Sequence, residues 1–276
     1  MNRSYLFIPG NSPAMVQTLD VFESDAVILD LEDSVDVRDK DAALELIHQF
    51  LRRLRPHNIE IYVRLNDLET TLKEEVKRLN NTDINGYVIP KATHHLINEV
   101  EALTDKPLIA LIESPRSVLN ALEIADCKSV IGIILGGEDL STSLGANRTK
   151  EGLELFTARQ LVVLAARASN IEAIDTPFTD PIDELGLMQD CQTAKGFGFT
   201  GKTAIHPNQI EAINQTFVPS KEAINDALRI VIKAKTATKG AFSLDGKMID
   251  KPIIERAKSL LKLAQNYGLY GGDDLE

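Results

Sequence analysis

The sequence predicts an α/β chain: a (β/α)8 barrel, the TIM-barrel architecture, over residues 1–216, then a helical extension over 217–276. Three observations carry that prediction. Short apolar or β-branched runs recur eight times, at 4–9, 26–31, 60–65, 86–90, 107–112, 130–135, 171–175 and 202–205. They are continuously apolar rather than alternating, as strands buried on both faces are. Between them lie amphipathic stretches at helical spacing. One is 39–54, with Ala43, Leu46, Ile47, Phe50, Leu51 and Leu54 on one stripe; another is 153–169, with Leu155, Ala158, Leu161, Val162, Ala165 and Ala166. Alternation of strand and helix implies a parallel sheet with right-handed crossovers, and eight strands close a barrel. A doubly wound open sheet is the alternative, but it would not need all eight units.

The punctuation between elements fits this order. Asn11-Ser12-Pro13 reads as the start of the first helix and Asn66-Asp67 as that of the third. A helix over 183–195 leads into the last strand. After Val218-Pro219-Ser220 the pattern changes to a helix over 221–239, a turn-rich segment over 240–247 with Asp245-Gly246 at its tip, and a helix over 252–266. Gly271-Gly272-Asp273-Asp274 reads as a frayed tail. Helices appended to a closed barrel must pack somewhere, and a neighbouring subunit is one candidate.

Composition narrows the function. In the 276 residues, 41 Asp and Glu against 30 Lys and Arg leave a net charge of −11. Nucleic-acid grip needs a basic patch to neutralise phosphates, so nucleic acid and anionic membranes are not expected partners. No window is long and apolar enough to span a bilayer. The N-terminus lacks an apolar segment with a small-residue cleavage site, so a secretory signal is not expected. Cys127 and Cys191 fit no metal or redox spacing and read as buried thiols. The expectation is a cytoplasmic protein with a large core.

The strand ends carry the chemistry. The C-terminal ends of barrel strands form the active-site face. There stand Asp30-Leu31-Glu32-Asp33, Arg64-Leu65-Asn66, Pro90-Lys91, Glu113-Ser114, Gly136-Gly137-Glu138-Asp139, Asp175 and His206. Two cations among many carboxylates point to a hard-cation site beside an anion-binding site. Mg²⁺ takes one or two protein carboxylates and leaves its other positions to water or substrate. Glu113 and Asp139 end adjacent strands, so their side chains can converge on such an ion; the plainer reading is a rim salt bridge with Arg64 or Lys91. Gly136 and Gly137 remove side chains beside Asp139, so a ligand could approach backbone N–H groups there. His206 has no second histidine on a common helix face and reads as a rim residue. His94-His95 reads as surface. Ser114 lacks a nucleophile elbow. Residues 196–203 satisfy the phosphate-loop pattern G-x-x-x-x-G-K-[ST], but a helix precedes them and a strand follows. That is the reverse of the order phosphate binding needs, so the segment reads as a turn at the opposite barrel face.

An ordered set of segments resembles the citrate lyase β-subunit family, within a wider group of Mg²⁺-dependent acyl-thioester lyases and aldolases. The segments are Arg-Ser-Tyr-Leu-Phe-Ile-Pro-Gly at 3–10, Leu-Asp-Leu-Glu-Asp-Ser-Val at 29–35, Val-Arg-Leu-Asn at 63–66, Leu-Ile-Glu-Ser at 111–114, Gly-Gly-Glu-Asp-Leu at 136–140, Leu-Gly-Ala at 144–146, Gly-Lys-Thr-Ala-Ile-His-Pro at 201–207 and Ser-Leu-Asp-Gly-Lys-Met-Ile-Asp-Lys-Pro at 243–252. The departures are Ser114, where many members have threonine, and Asn147, where a second arginine is common; both bear on substrate choice.

The resemblance implies a barrel with a C-terminal extension reaching a neighbouring subunit in a homotrimer or hexamer. It implies Glu113 and Asp139 as Mg²⁺ ligands, with Asp30, Glu32 and Asp33 near the metal and its waters, and Glu32 and Asp33 among the catalytic residues with Arg64 and Asp250. It implies Arg64 as the holder of substrate oxygens, in a binding set with Asp30, Lys91, Gly137 and Glu138. Asp250 resembles an acid/base carboxylate supplied by the neighbour; its plainer reading is a helix N-cap ahead of Lys251-Pro252. The implied reaction is carbon–carbon cleavage of a citryl-, malyl- or citramalyl-type 3-hydroxy-acyl thioester, carried on CoA or an acyl carrier protein, to an acetyl thioester and a 2-oxo acid. The alternatives are a free-standing citramalyl-CoA or malyl-CoA lyase, a malate synthase, and a non-catalytic partner subunit.

Overall fold

The computed structural model of the chain describes residues 2–53, 59–67, 69–237 and 240–271. Eight strands form a closed parallel barrel: β1 (Ser4–Pro9), β2 (Ala26–Asp30), β3 (Glu60–Arg64), β4 (Gly86–Ile89), β5 (Leu108–Ile112), β6 (Val130–Leu135), β7 (Glu172–Asp175) and β8 (Gly201–Ala204). β8 pairs back onto β1 and closes the ring. Strand alternation divides the apolar residues into two layers. Tyr5, Ile28, Tyr62, Val88, Ile109 and Ile134 are among those filling the barrel. Leu6, Val27, Val63, Ile89, Ile112 and Ile133 face the surrounding helices.

The structure refines several boundaries. The stretch 39–54 is a 3-10 turn, Val37–Asp39, running into a helix, Lys40–Arg53; Leu54 lies outside the described residues. The stretch 153–169 is a 3-10 turn, Leu153–Leu155, and a helix, Phe156–Ala168. Asn66 does not cap the third helix, Glu69–Leu79. It is buried, and its backbone N–H donates to Glu75 Oε2 at 2.9 Å. The phosphate-loop look-alike is a helix end. Gly198, at φ +105°, terminates the helix Glu184–Phe197 ahead of β8. Both cysteines are free and buried. Among the described residues no helix is long and apolar enough to cross a membrane.

The chain divides into two compact units, Met1–Phe217 and Val218–Glu276. In the second, the helices Lys221–Thr236 and Lys251–Asn266 pack through Ile224, Ala227 and Val231 with Ala257, Leu261 and Ala264. Lys239 and residues 272–274 of the expected tail lie outside the described residues. The segment read as turn-rich is a hairpin, with β9 (Phe242–Leu244) antiparallel to β10 (Lys247–Ile249). Asp245 and Gly246 both take positive φ, as a two-residue hairpin turn with the strands' twist requires.

Candidate active site

A cavity of about 380 Å³ opens at the C-terminal mouth of the barrel. Asp30, Asp33, Arg64, Glu113, Glu138 and Asp139 supply its charged lining, and Phe7, Leu111, Ile134 and Ile205 much of its apolar lining. The strand ends thus bring most of the expected residues together.

Arg64 is clamped. β2 and β3 pair with Asp30 opposite Arg64, so the two side chains leave the ladder side by side. Arg64 donates from Nε to Asp30 Oδ1 at 2.6 Å and from Nη2 to Oδ2 at 2.7 Å. Its Nη1 lies 3.1 Å from Glu32 Oε2 and 3.6 Å from Asp33 Oδ2. The guanidinium carbon sits 5.1 Å from the centre of the Phe7 ring. A two-point clamp fixes the guanidinium plane. Burial works against the Asp30 charge, but the hydrogen bonds and charge of Arg64 outweigh it and hold the carboxyl below its ordinary range.

The opposite wall is carboxylate. Glu113 is buried and accepts the Lys91 backbone N–H at Oε1, 2.6 Å away. Burial raises its carboxyl to about 8, against that hydrogen bond and with help from Glu32 and Asp139. Glu32 is raised by burial to about 7. Neither Glu32 oxygen accepts a hydrogen bond. Arg64 and Lys91 stand near Glu32, but burial outweighs them; a divalent cation would add the positive charge that favours both ionised carboxylates. Asp139 stands exposed in the first turn of the helix Gly137–Leu144. A Cβ on Gly136 would fall 2.6 Å from Glu113 Cβ, so this glycine makes room for the buried carboxylate. Glu113 and Asp139 fit a Mg²⁺ site that takes two protein carboxylates and completes its shell with water and substrate. Among the described residues no group of three or more His, Cys, Asp or Glu is arranged to hold a metal.

Some of the other expectations are corrected. The amides of Gly136 and Gly137 are not free for a ligand. They donate to Ile112 O at 2.9 Å and Thr176 Oγ1 at 3.0 Å. The first-turn amides without an intrahelical acceptor that remain belong to Glu138 and Asp139. Gly137 keeps only a place in the cavity wall. Asp175, read as part of the mouth, is fully buried and paired with Arg159 and Lys202. Alternation decides this: Ile174 fills the barrel, so Asp175 faces the helices, and Thr176 lines the cavity instead. Lys91 pairs with Asp67, and its half-exposed ammonium lies 3.5 Å from Oε1 of buried Glu32; neither side chain lines the cavity. Glu138 pairs with Arg148 at 3.0 Å on the rim. His206 caps a 3-10 turn, accepting Asn208 N–H. Asp250 belongs to the second unit and caps its last helix, accepting Ile253 N–H at 3.4 Å. Phe7, Ser34 and Thr176 line the cavity without having been singled out. Only Ser34 carried a usable signal, its place within the acidic string after β2.

A parallel eight-stranded barrel whose mouth sets carboxylates around one clamped arginine offers places for both a cation and an anion. The chain belongs to the HpcH/HpaI aldolase/citrate lyase family, whose sequence model matches residues 3–207. It is 36% identical to the citrate lyase subunit beta of Leuconostoc mesenteroides subsp. cremoris, over 96% of this chain and 93% of that protein. It is 30% identical to human mitochondrial citramalyl-CoA lyase, over 95% of this chain and 85% of that one. Among solved structures, the protein CitE from Mycobacterium tuberculosis in complex with magnesium, acetoacetate and coenzyme A superposes with a TM-score of 0.84 at 30% identity, covering 96% of this chain and 98% of that one.

Proposed function

We propose that the chain is a Mg²⁺-dependent carbon–carbon lyase of the citrate lyase β-subunit type. It would cleave a 3-hydroxy-acyl thioester, citryl-, malyl- or citramalyl-type, to an acetyl thioester and a 2-oxo acid. The observation that carries this reading is the facing of Glu113 and Asp139 with clamped Arg64 in one cavity, in a chain related over nearly its whole length to citrate lyase β subunits. Glu113 and Asp139 would hold Mg²⁺, which supplies Lewis-acid polarisation of the substrate's hydroxyl and carboxylate oxygens.

The protein's own groups then divide the work. Asp33, in the cavity lining, takes the hydroxyl proton. Arg64 meets the carboxylate or the enolate oxygen as the bond breaks. Held by Asp30, it need not reorganise when that charge develops. Asp250, supplied by a neighbouring subunit of a homotrimer or hexamer, protonates the enolate carbon. CoA and an acyl carrier protein are both candidate carriers. The 30% identity to a citramalyl-CoA lyase favours a second reading, a free-standing enzyme acting on citramalyl-CoA.

The test is a cleavage assay across citryl-, malyl- and citramalyl-CoA and citryl-acyl carrier protein, each with Mg²⁺ and with excess EDTA. Cleavage of at least one, abolished by EDTA, is expected; full activity in EDTA would sink the metal assignment. A shared site also predicts that mixing Asp250→Ala with Arg64→Ala subunits restores part of the activity each lacks. Mixed oligomers with no recovery would refute a trans role for Asp250.

A further inference from the structure

The motif Gly201-Lys202-Thr203 has no place in the chemistry above, yet it ends in an elaborate buried cluster. Lys202 is fully buried and uses all three ammonium donors: to Asp175 Oδ2, to Asp190 Oδ2 and to the Thr176 carbonyl, each at 2.6 Å. Arg159 closes the cluster by donating to both oxygens of Asp175, at 3.0 and 2.9 Å, and to Asp190 Oδ1 at 2.7 Å. Two cations meet two carboxylates, and the end of β7 is tied down at side chain and carbonyl. Thr203 Oγ1 adds a bond to the Asp175 carbonyl at 2.9 Å.

What this anchor holds is Thr176. Its Oγ1 accepts the N–H of Gly137 at 3.0 Å, and Gly137 opens the helix whose first turn carries Asp139. That amide has no acceptor within its own helix. A Cβ on Gly137 would fall 2.7 Å from Thr176 Oγ1, so the two elements meet without slack. We propose that Thr176, locked by Lys202, is a positioning residue that sets where Asp139 stands and so tunes the affinity of the metal site. This rests on reading Asp139 as a metal ligand.

The test is a Mn²⁺ titration of the purified protein, without substrate, followed by electron paramagnetic resonance, with melting temperature as the fold control. Thr176→Val keeps the volume and removes the acceptor. Thr176→Ala removes it without adding a methyl against Gly137, should valine not fit. Both are expected to bind Mn²⁺ about tenfold more weakly, the usual effect of losing a group that orients a ligand. Thr176→Ser keeps the hydroxyl and is expected to bind as the unchanged protein does. Unchanged affinity in the valine and alanine variants overturns the proposal, as does a serine variant as weak as valine. Asp139→Asn in the same titration separates the two readings. If it abolishes binding while Thr176→Val does not weaken it, positioning alone fails; if it binds normally, the ligand assignment fails and the proposal with it.

Discussion

Glu113→Gln and Asp139→Asn are each expected to lower kcat/KM for thioester cleavage by about a thousandfold or more, with the melting temperature held. Either change removes half of the protein's charged share of the metal site. The Lewis-acid stabilisation at stake is several kcal/mol, and about 4 kcal/mol is a thousandfold in rate. The amide variants isolate charge from shape. Glutamine can still accept the Lys91 N–H that Glu113 Oε1 now takes, so the backbone after β4 stays in place. The fold does not depend on the lost charge. Burial already pushes the Glu113 carboxyl to about 8, so in the metal-free protein a neutral side chain is at least as well accommodated there. Steady-state kinetics with a thermal melt decide it. A Glu113→Gln enzyme retaining a tenth of the activity would move the metal away from this residue.

The barrel was legible because its strands are buried on both faces. A run such as Val-Ile-Gly-Ile-Ile-Leu at 130–135 is apolar at nearly every step, which few other structures tolerate. The hairpin between the last two helices was harder to see. Its strands are three residues long and half exposed, so they carry little apolar pattern, and only Asp245-Gly246 marked the turn.

The site was legible to the level of which strand ends take part, not which way each side chain points. Asp30 and Asp175 both close apolar strands, and the sequence treats them alike. One clamps Arg64 in the cavity and the other is sealed behind the barrel. The difference is one step of alternation, fixed by where the barrel interior falls and not by the local string. Gly136 and Gly137 show the same limit. Small residues beside a ligand announce close approach, but only the fold shows that what approaches is Glu113 and Thr176. The pairing of Arg64 with Asp30 depends on the β2–β3 register across 34 positions, which no local motif encodes.

Lys202→Met is expected to destabilise the barrel unit by about 3–5 kcal/mol, the range for removing one partner of a buried ion pair. For a unit of this size that is a fall of roughly 10 °C in melting temperature. The variant keeps most of the side-chain volume, so packing contributes little. The loss comes from charge. Asp175 and Asp190, both buried, would share the single cation Arg159, and the Thr176 carbonyl would lose its donor. The cluster's balance provides the discriminating control. In Lys202→Met with Asp190→Asn, one cation again faces one carboxylate, Arg159 on Asp175 at 2.9 Å. The double variant should therefore melt above the Lys202→Met single variant, a coupling that independent sites do not show. If the two losses simply add, the cluster is not held by charge balance, and the buried lysine matters only for the space it fills.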